Sequence, residues 1–231
     1  MTIRIDLKFT IPEILEKQLK QIIIADDHAV VRTGLQLILE ETNEMCISGE
    51  ASNGFDLIEK LKNDYYDLVI LDISMPGKDT IDLIKEIHAS WERLPVVIFS
   101  MNPDEIYAVR MIRNGASAYI NKETEPQQIT EILRIVLSGK KYITQQQGTI
   151  LADLVIEPEK NVNSPLHETL SDREFQIFFM LASGMKKSDI AKKLSISKNT
   201  IGNHRSNIMH KMNLAANSEF TGYAIRHGIM K

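Results

Sequence analysis

Two stretches, Ile22-Ile23-Ile24-Ala25-Asp26-Asp27-His28 and Leu68-Val69-Ile70-Leu71-Asp72, share one pattern: four apolar residues and then acid. A continuous apolar run this short suits a strand buried on both faces, as in a parallel sheet covered by helices. Runs of similar length recur at residues 45–48, 96–99 and 118–120. Between the runs lie helix-length amphipathic stretches at 30–41, 55–63, 80–90, 103–114 and 125–138. Strands alternating with helices predict an α/β domain, a doubly wound five-stranded parallel sheet spanning residues 20–139.

Ligands of such sheets sit at the carboxyl ends of the strands. With strand order 2-1-3-4-5, the first and third strands are neighbours, so Asp26, Asp27 and Asp72 meet at one edge. Like charges this close repel. A hard divalent cation such as Mg²⁺, which takes oxygen ligands and phosphate oxygens, relieves the repulsion. Ser100 follows the fourth run and Lys122 lies just past the fifth. Carboxylates, a metal, a hydroxyl and an ammonium together suit phosphoryl transfer: an Asp as nucleophile, the cations on the phosphoryl oxygens, the hydroxyl accepting one.

Composition narrows the setting. The 231 residues carry a net charge of −4, with 43% apolar and 25% charged side chains, as for a folded globular chain. Cys46 is the single cysteine, which excludes a disulfide framework and a cysteine-based zinc site. No apolar run approaches the roughly 18 residues of a membrane span, and the first twenty residues lack the apolar block of a signal peptide. The expectation is a cytoplasmic protein with no membrane partner. Charge is unevenly spread: residues 166–231 hold ten Lys and Arg against five Asp and Glu, a net +5, which leaves −9 on the rest. A basic tail on an acidic body points to a polyanionic partner.

At the amino end, Ile3, Ile5, Leu7 and Phe9 alternate with Arg4, Asp6 and Lys8 as in a strand. Thr10 and Glu13 then have capping-box spacing around Pro12, ahead of a short helix. This extension, residues 1–19, has no assigned role. Residues 140–166 read as a linker, with a short helix possible at 150–156. Beyond it the pattern is helical. Ser171 and Glu174 form a capping box, Gly184 stops that helix, and helices follow at 188–194, 198–212 and 218–228. The pair at 188–194 and 198–212, joined by a short turn, is a helix-turn-helix. Ile190, Ala191, Leu194, Ile196, Ile201, Ile208 and Met212 supply its apolar face. Lys198, Asn199, Gly202, Asn203, Ser206 and His210 lie opposite, with Arg205 at the margin. Small polar groups there suit base edges, while Lys198, Arg205, Lys211 and the helix N-terminus suit phosphates.

Both halves resemble known families. Residues 22–28, Leu71-Asp72-Ile73-Ser74-Met75-Pro76-Gly77, Ser100 and the stretch from Gly115 to Lys122 resemble the flavodoxin-like receiver domain of two-component response regulators. The resemblance implies Asp72 as the phospho-acceptor, served by a sensor histidine kinase. It implies Mg²⁺ held by Asp27, Asp72 and the backbone carbonyl of Ser74, with Asp26 acting through a water. Lys122 would contact the phosphoryl group, and Ser100 and Tyr119 would form the switch pair. Thr80 stands where that family usually has glycine. Residues 167–231 resemble the LuxR-type four-helix DNA-binding domain, and the whole chain is similar to NarL/FixJ-type regulators. That implies a small all-α module in which Thr200 touches the DNA backbone and Gly202, Asn203 and Ser206 face the major groove. Lys186 and Lys187 replace the usual Ser-Asn and forgo a side-chain cap. The expected function is a promoter-binding, dimer-forming transcription regulator switched by phosphorylation of Asp72, and not an enzyme. The alternatives are a phosphorylation-independent regulator and a metal-dependent aspartyl-phosphate phosphatase. The latter usually has a second acid two residues after its nucleophile, where Ser74 stands.

Overall fold

The computed structural model describes residues 19–73, 75, 78–101, 105–156, 165–194, 196–227 and 229–230. Residues 1–18 of the extension, Ser74, and the Pro- and Asn-rich stretch 157–164 of the linker lie outside the described residues.

Five strands, β1 (Lys20–Ala25), β2 (Met45–Ala51), β3 (Leu68–Leu71), β4 (Val96–Ser100) and β5 (Ala118–Asn121), form one sheet in the order β2-β1-β3-β4-β5, all parallel. Helices α1 (Ala29–Glu40), α2 (Gly54–Asn63), α3 (Thr80–Ser90), α4 (Glu105–Arg113) and α5 (Pro126–Leu137) connect and cover them. The pleat sends alternate side chains to opposite faces. Ile23 and Ala25 of β1 pack with Leu57, Ile84 and Met111 of α2–α4, whereas Ile22 and Ile24 pack with Leu35 and Leu39 of α1 and Leu133 of α5. Both faces are therefore dry, which explains why the central strands read as unbroken apolar runs.

The edge strand differs from the sequence reading. β2 continues three residues beyond the run at 45–48, through Gly49 and Glu50 to Ala51. An edge strand tolerates such residues because one side is solvated. Gly49 also lies beneath the ring of Tyr66, where a Cβ would stand 2.4 Å from Oη.

In the linker region, α6 (Gln145–Ile156) is longer than the short helix expected and packs against α4. A 3-10 turn (Leu166–Thr169) leads into α7 (Asp172–Ala182), α8 (Lys187–Lys193), α9 (Lys198–Lys211) and α10 (Ser218–Arg226). The capping box forms as read: Ser171 Oγ accepts from the Glu174 N–H, and the Glu174 carboxylate accepts from the Ser171 N–H at 2.8 Å. Gly184 terminates α7 at φ +79°, a conformation open to glycine. Phe175, Phe178, Phe220, Tyr223, Ile190, Ile201, Ile208 and Met212 close the helical core.

His167, 2% exposed, sits at the base of that core. Its Nδ1 is 3.2 Å from the Tyr223 hydroxyl, and its ring lies 5.9 Å from that of His227. Burial, then the charges of His227 and Arg110, hold its pKa down to about 4 from 6.5. A depressed base favours the fold fully above pH 6.5, and that contribution is lost as pH falls toward 4. The helical domain should therefore melt several degrees lower at pH 5 than at pH 7. The carboxylates held below their ordinary range, Asp67, Glu174 and Glu219, lose their contribution mainly below pH 5, outside the pH 5 to 7 comparison, and Asp79, pushed up by burial, acts with the opposite sign. Half-buried His204, also pushed down by burial, adds a smaller part of the same sign. Differential scanning calorimetry of wild type beside His167→Gln is the check; an equal pH slope in both would remove His167 from the account.

Candidate phosphorylation site and nucleic-acid interface

The crossover order brings the carboxyl ends of β1, β3, β4 and β5 side by side. Asp26 leaves β1 and Asp72 leaves β3, and the Asp72 N–H donates to the Ala25 carbonyl at 2.8 Å, which ties the two strand ends together. Asp26 and Asp72 are 1% and 2% exposed. Lys122, one residue past β5, reaches into the pocket with Nζ 2.5 Å from Asp26 Oδ2 and 3.2 Å from Asp72 Oδ1. Buried carboxylates are tolerable only with such partners. Asp27 is exposed at the mouth. Ser100 is buried at the end of β4, where its carbonyl accepts from the Lys122 N–H at 2.8 Å. Tyr119 is buried on β5. All five residues expected around a phosphoryl group, with Tyr119 behind them, thus come from four adjacent strand ends.

One participant was not expected. His28, which caps α1, turns its imidazole into the cluster, with Nδ1 2.8 Å from Asp27 Oδ1 and 3.1 Å from Asp26 Oδ1. One ligand atom from each of Asp26, Asp27, His28 and Asp72 lies within 4.8 Å of the others. This donor set fits a divalent cation: three carboxylates with one lysine leave negative charge uncompensated, and hard cations take oxygen ligands. His28 follows Asp27 directly, so its neighbourhood was legible, but its side-chain direction depends on the turn.

In the helical module, Ser197 caps α9, its Oγ accepting from the Thr200 N–H at 3.0 Å. Lys198, Asn199, Asn203 and Ser206 are exposed, Thr200, Gly202 and Arg205 are part-exposed, and the opposite residues Ile201, Ile208 and Met212 are buried. Two basic residues have internal partners: Arg205 Nε donates to Asn217 Oδ1 at 2.6 Å, and Lys211 Nζ lies 2.6 Å from Glu174 Oε2. Lys211 is thereby also a tie between α9 and the capping box of α7. Lys186 caps α8 with no side-chain hydrogen bond, as its replacement of a polar cap implied.

The sequence reading missed the seam between the two domains. Tyr107 of α4 packs on Phe175 and Phe179 of α7, with ring centroids 5.5 and 6.2 Å apart. Arg110 stacks 4.9 Å from the Phe175 ring and donates to the Leu170 carbonyl at 2.7 Å. The available signal was α7 itself: Phe175, Ile177, Phe178, Phe179, Met180 and Leu181 make it apolar well beyond one face, the mark of a helix buried on two sides.

A parallel sheet carrying an acidic pocket at its strand ends, joined to a capped helix-turn-helix, defines a signal-receiving nucleic-acid-binding protein. Comparison with known proteins agrees. Residues 22–134 match the response regulator receiver domain, and residues 168–224 match the luxR family of bacterial regulatory proteins. The chain is 32% identical over 208 residues to the response regulator UvrY of Escherichia coli K12, covering 90% of this chain and 94% of that protein. It is 33% identical over 215 residues to the oxygen regulatory protein NreC of Staphylococcus carnosus TM300, covering 91% and 99%. Among solved structures, RcsB of Salmonella enterica serovar Typhimurium, bound to promoter rprA with phosphomimetic BeF3-, superposes with a TM-score of 0.62 at 24% identity, over 89% of this chain and 98% of that one. The chain belongs to the two-component response regulators that carry a receiver and a LuxR-type DNA-binding domain. No helix among the described residues is long and apolar enough to cross a membrane.

Proposed function

We propose that Asp72 accepts a phosphoryl group from a sensor histidine kinase, and that the modified chain regulates promoters in the cytoplasm as a dimer. The observation that carries this reading is the convergence of Asp26, Asp27, Asp72 and Lys122 on one pocket, with buried Ser100 at the adjacent end of β4. In the transfer, an Asp72 oxygen forms the new P–O bond, the P–N bond to the kinase imidazole breaks, and that nitrogen leaves with the electron pair. Lys122 stands where it meets the growing negative charge. A magnesium ion held by Asp27, Asp72 and the Ser74 carbonyl, with Asp26 through a water, would neutralise phosphoryl oxygens. The Ser100 hydroxyl then accepts the role of donor to the new phosphoryl oxygens, and the Tyr119 ring follows, which alters the packing beside α4.

The exposed face of α9 would enter the major groove, with Gly202, Asn203 and Ser206 toward base edges and Lys198, Asn199, Thr200, Arg205 and Lys211 toward the backbone. Two half-sites about 10 base pairs apart would engage a dimer. Arg205→Ala should weaken binding to every sequence by a similar factor and make the salt dependence shallower by about one unit. Fluorescence anisotropy across a salt series, with the chain treated with phosphodonor, tests the interface; an unchanged slope would remove Arg205 from it, and absence of binding even at low salt would remove DNA as the partner.

A further inference from the structure

The carbonyl directly after the proposed acceptor is held from two directions. Ile73 follows Asp72, and its oxygen accepts from Thr80 Oγ1 at the start of α3, at 3.2 Å, and from Gln176 Nε2 of α7, at 3.1 Å. Both bonds are buried. Thr80 is the residue that departs from the usual glycine, and the departure supplies the first of the two donors. Gln176 belongs to the other domain, 103 positions away in sequence. Its amide is oriented in turn: Arg173 Nη1 donates to Gln176 Oε1 at 2.7 Å, and the same guanidinium nitrogen lies 3.8 Å from Asp79 Oδ2 at the cap of α3. Gln176 is 5% exposed, so no water competes freely for its donor. A cavity of about 220 Å³ lies alongside, lined by Ile73, Ser100, Tyr107, Gln176, Phe179 and Lys193. The residue expected to move on phosphorylation and the residue that grips the acceptor loop thus border one space.

We propose that Gln176, in the DNA-binding domain, is a positioning residue of the phosphorylation site. It fixes the backbone after Asp72 in the shape that belongs to the unmodified receiver, and so opposes phosphoryl uptake while the domains are packed. The inference rests on Asp72 being the acceptor. Uptake requires the loop after Asp72 and the end of β4 to rearrange around a new dianionic group, whereas Gln176, Thr80 and the α4–α7 packing all hold the present arrangement. Linkage makes the effect reciprocal: whatever draws α7 away, DNA included, eases modification of Asp72.

The test uses the full chain and phosphoramidate, a small donor whose P–N bond breaks as the Asp72 P–O bond forms and ammonia leaves. Gln176→Met keeps the length and apolar packing of the side chain but cannot donate. It should raise the initial labelling rate about fivefold, the worth of one neutral hydrogen bond. Thr80→Ala, which leaves the seam untouched, should raise it as well, and the double variant should depart from the product of the two single effects because both donors share one acceptor. Calorimetry of each variant separates this from a general loosening of α7, which would also raise the rate: the rise should come with an unchanged melting temperature, and a rise seen only together with lowered melting would overturn the role of the hydrogen bond itself. A rate in Gln176→Met equal to or below wild type, or strictly multiplicative effects in the double variant, would overturn the proposal. Labelling that survives Asp72→Asn would instead overturn the assignment of the acceptor.

Discussion

Asp72→Asn is expected to abolish labelling of the chain by phosphoramidate or by a phosphorylated kinase, while leaving its melting temperature unchanged or raised. The chemical half follows from the nucleophile. A carboxylate oxygen carries the charge that forms the P–O bond, whereas a neutral amide lacks it, and the neighbouring acids are differently placed. Asp26 is the more tightly paired with Lys122, at 2.5 Å against 3.2 Å for Asp72. Asp27 sits at the mouth against His28. The stability half follows from electrostatics. Asp26, Asp27 and Asp72 crowd one pocket around a single lysine, so removing one negative charge relieves repulsion while the amide oxygen still faces Lys122. A variant that is folded but dead to the donor separates loss of chemistry from loss of structure. Intact-protein mass spectrometry at matched times is the measurement. Labelling at the wild-type rate would place the acceptor elsewhere and detach the pocket from the function.

How much of this was legible in the sequence depends on the range of the interactions. The runs at 22–25 and 68–71 read correctly because burial on both faces leaves no room for a polar residue. The pocket followed from them, since an acid placed directly after a buried strand has only the sheet edge to occupy. Ser100 and Lys122 were found on the same ground. The end of β2 was not legible, because an edge strand can hold Gly49 and Glu50 and so loses the apolar signature. The length of α6 was hidden by its start, Gln145-Gln146-Gln147-Gly148, which has little helical pattern until it packs on α4. The seam was hidden more deeply. Tyr107, Arg110 and Gln176 meet partners that no local spacing relates, and only the apolar girth of α7 hinted that a second surface covered it. Thr80 shows the converse: a departure from a familiar pattern was visible, but its use as a donor to Ile73 required the fold.

α7 therefore serves two neighbours, and Phe178 tells them apart. Phe175 and Phe179 face α4, whereas Phe178, fully buried, is surrounded by Phe175, Phe220 and Tyr223 at centroid distances of 5.9, 6.0 and 6.0 Å. Truncating such a ring costs about 3–5 kcal/mol, in lost burial and in the cavity left behind. A helical domain this small has a total stability of roughly 3–10 kcal/mol, at about 0.05–0.15 kcal/mol per residue. Phe178→Ala should thus consume most of the margin, so that salt-dependent DNA retention is lost near 37 °C. The rings around Phe178 belong to α7 and α10 and not to the receiver strands or their covering helices, so Asp72 should still take phosphate. A loosened α7 also no longer presents Gln176 to Ile73, so labelling should run at the wild-type rate or faster. Calorimetry, anisotropy and labelling on one preparation would show it. Loss of labelling in step with loss of DNA binding would mean that the two domains fold as one unit, and that the seam is part of the core rather than a contact the molecule can release.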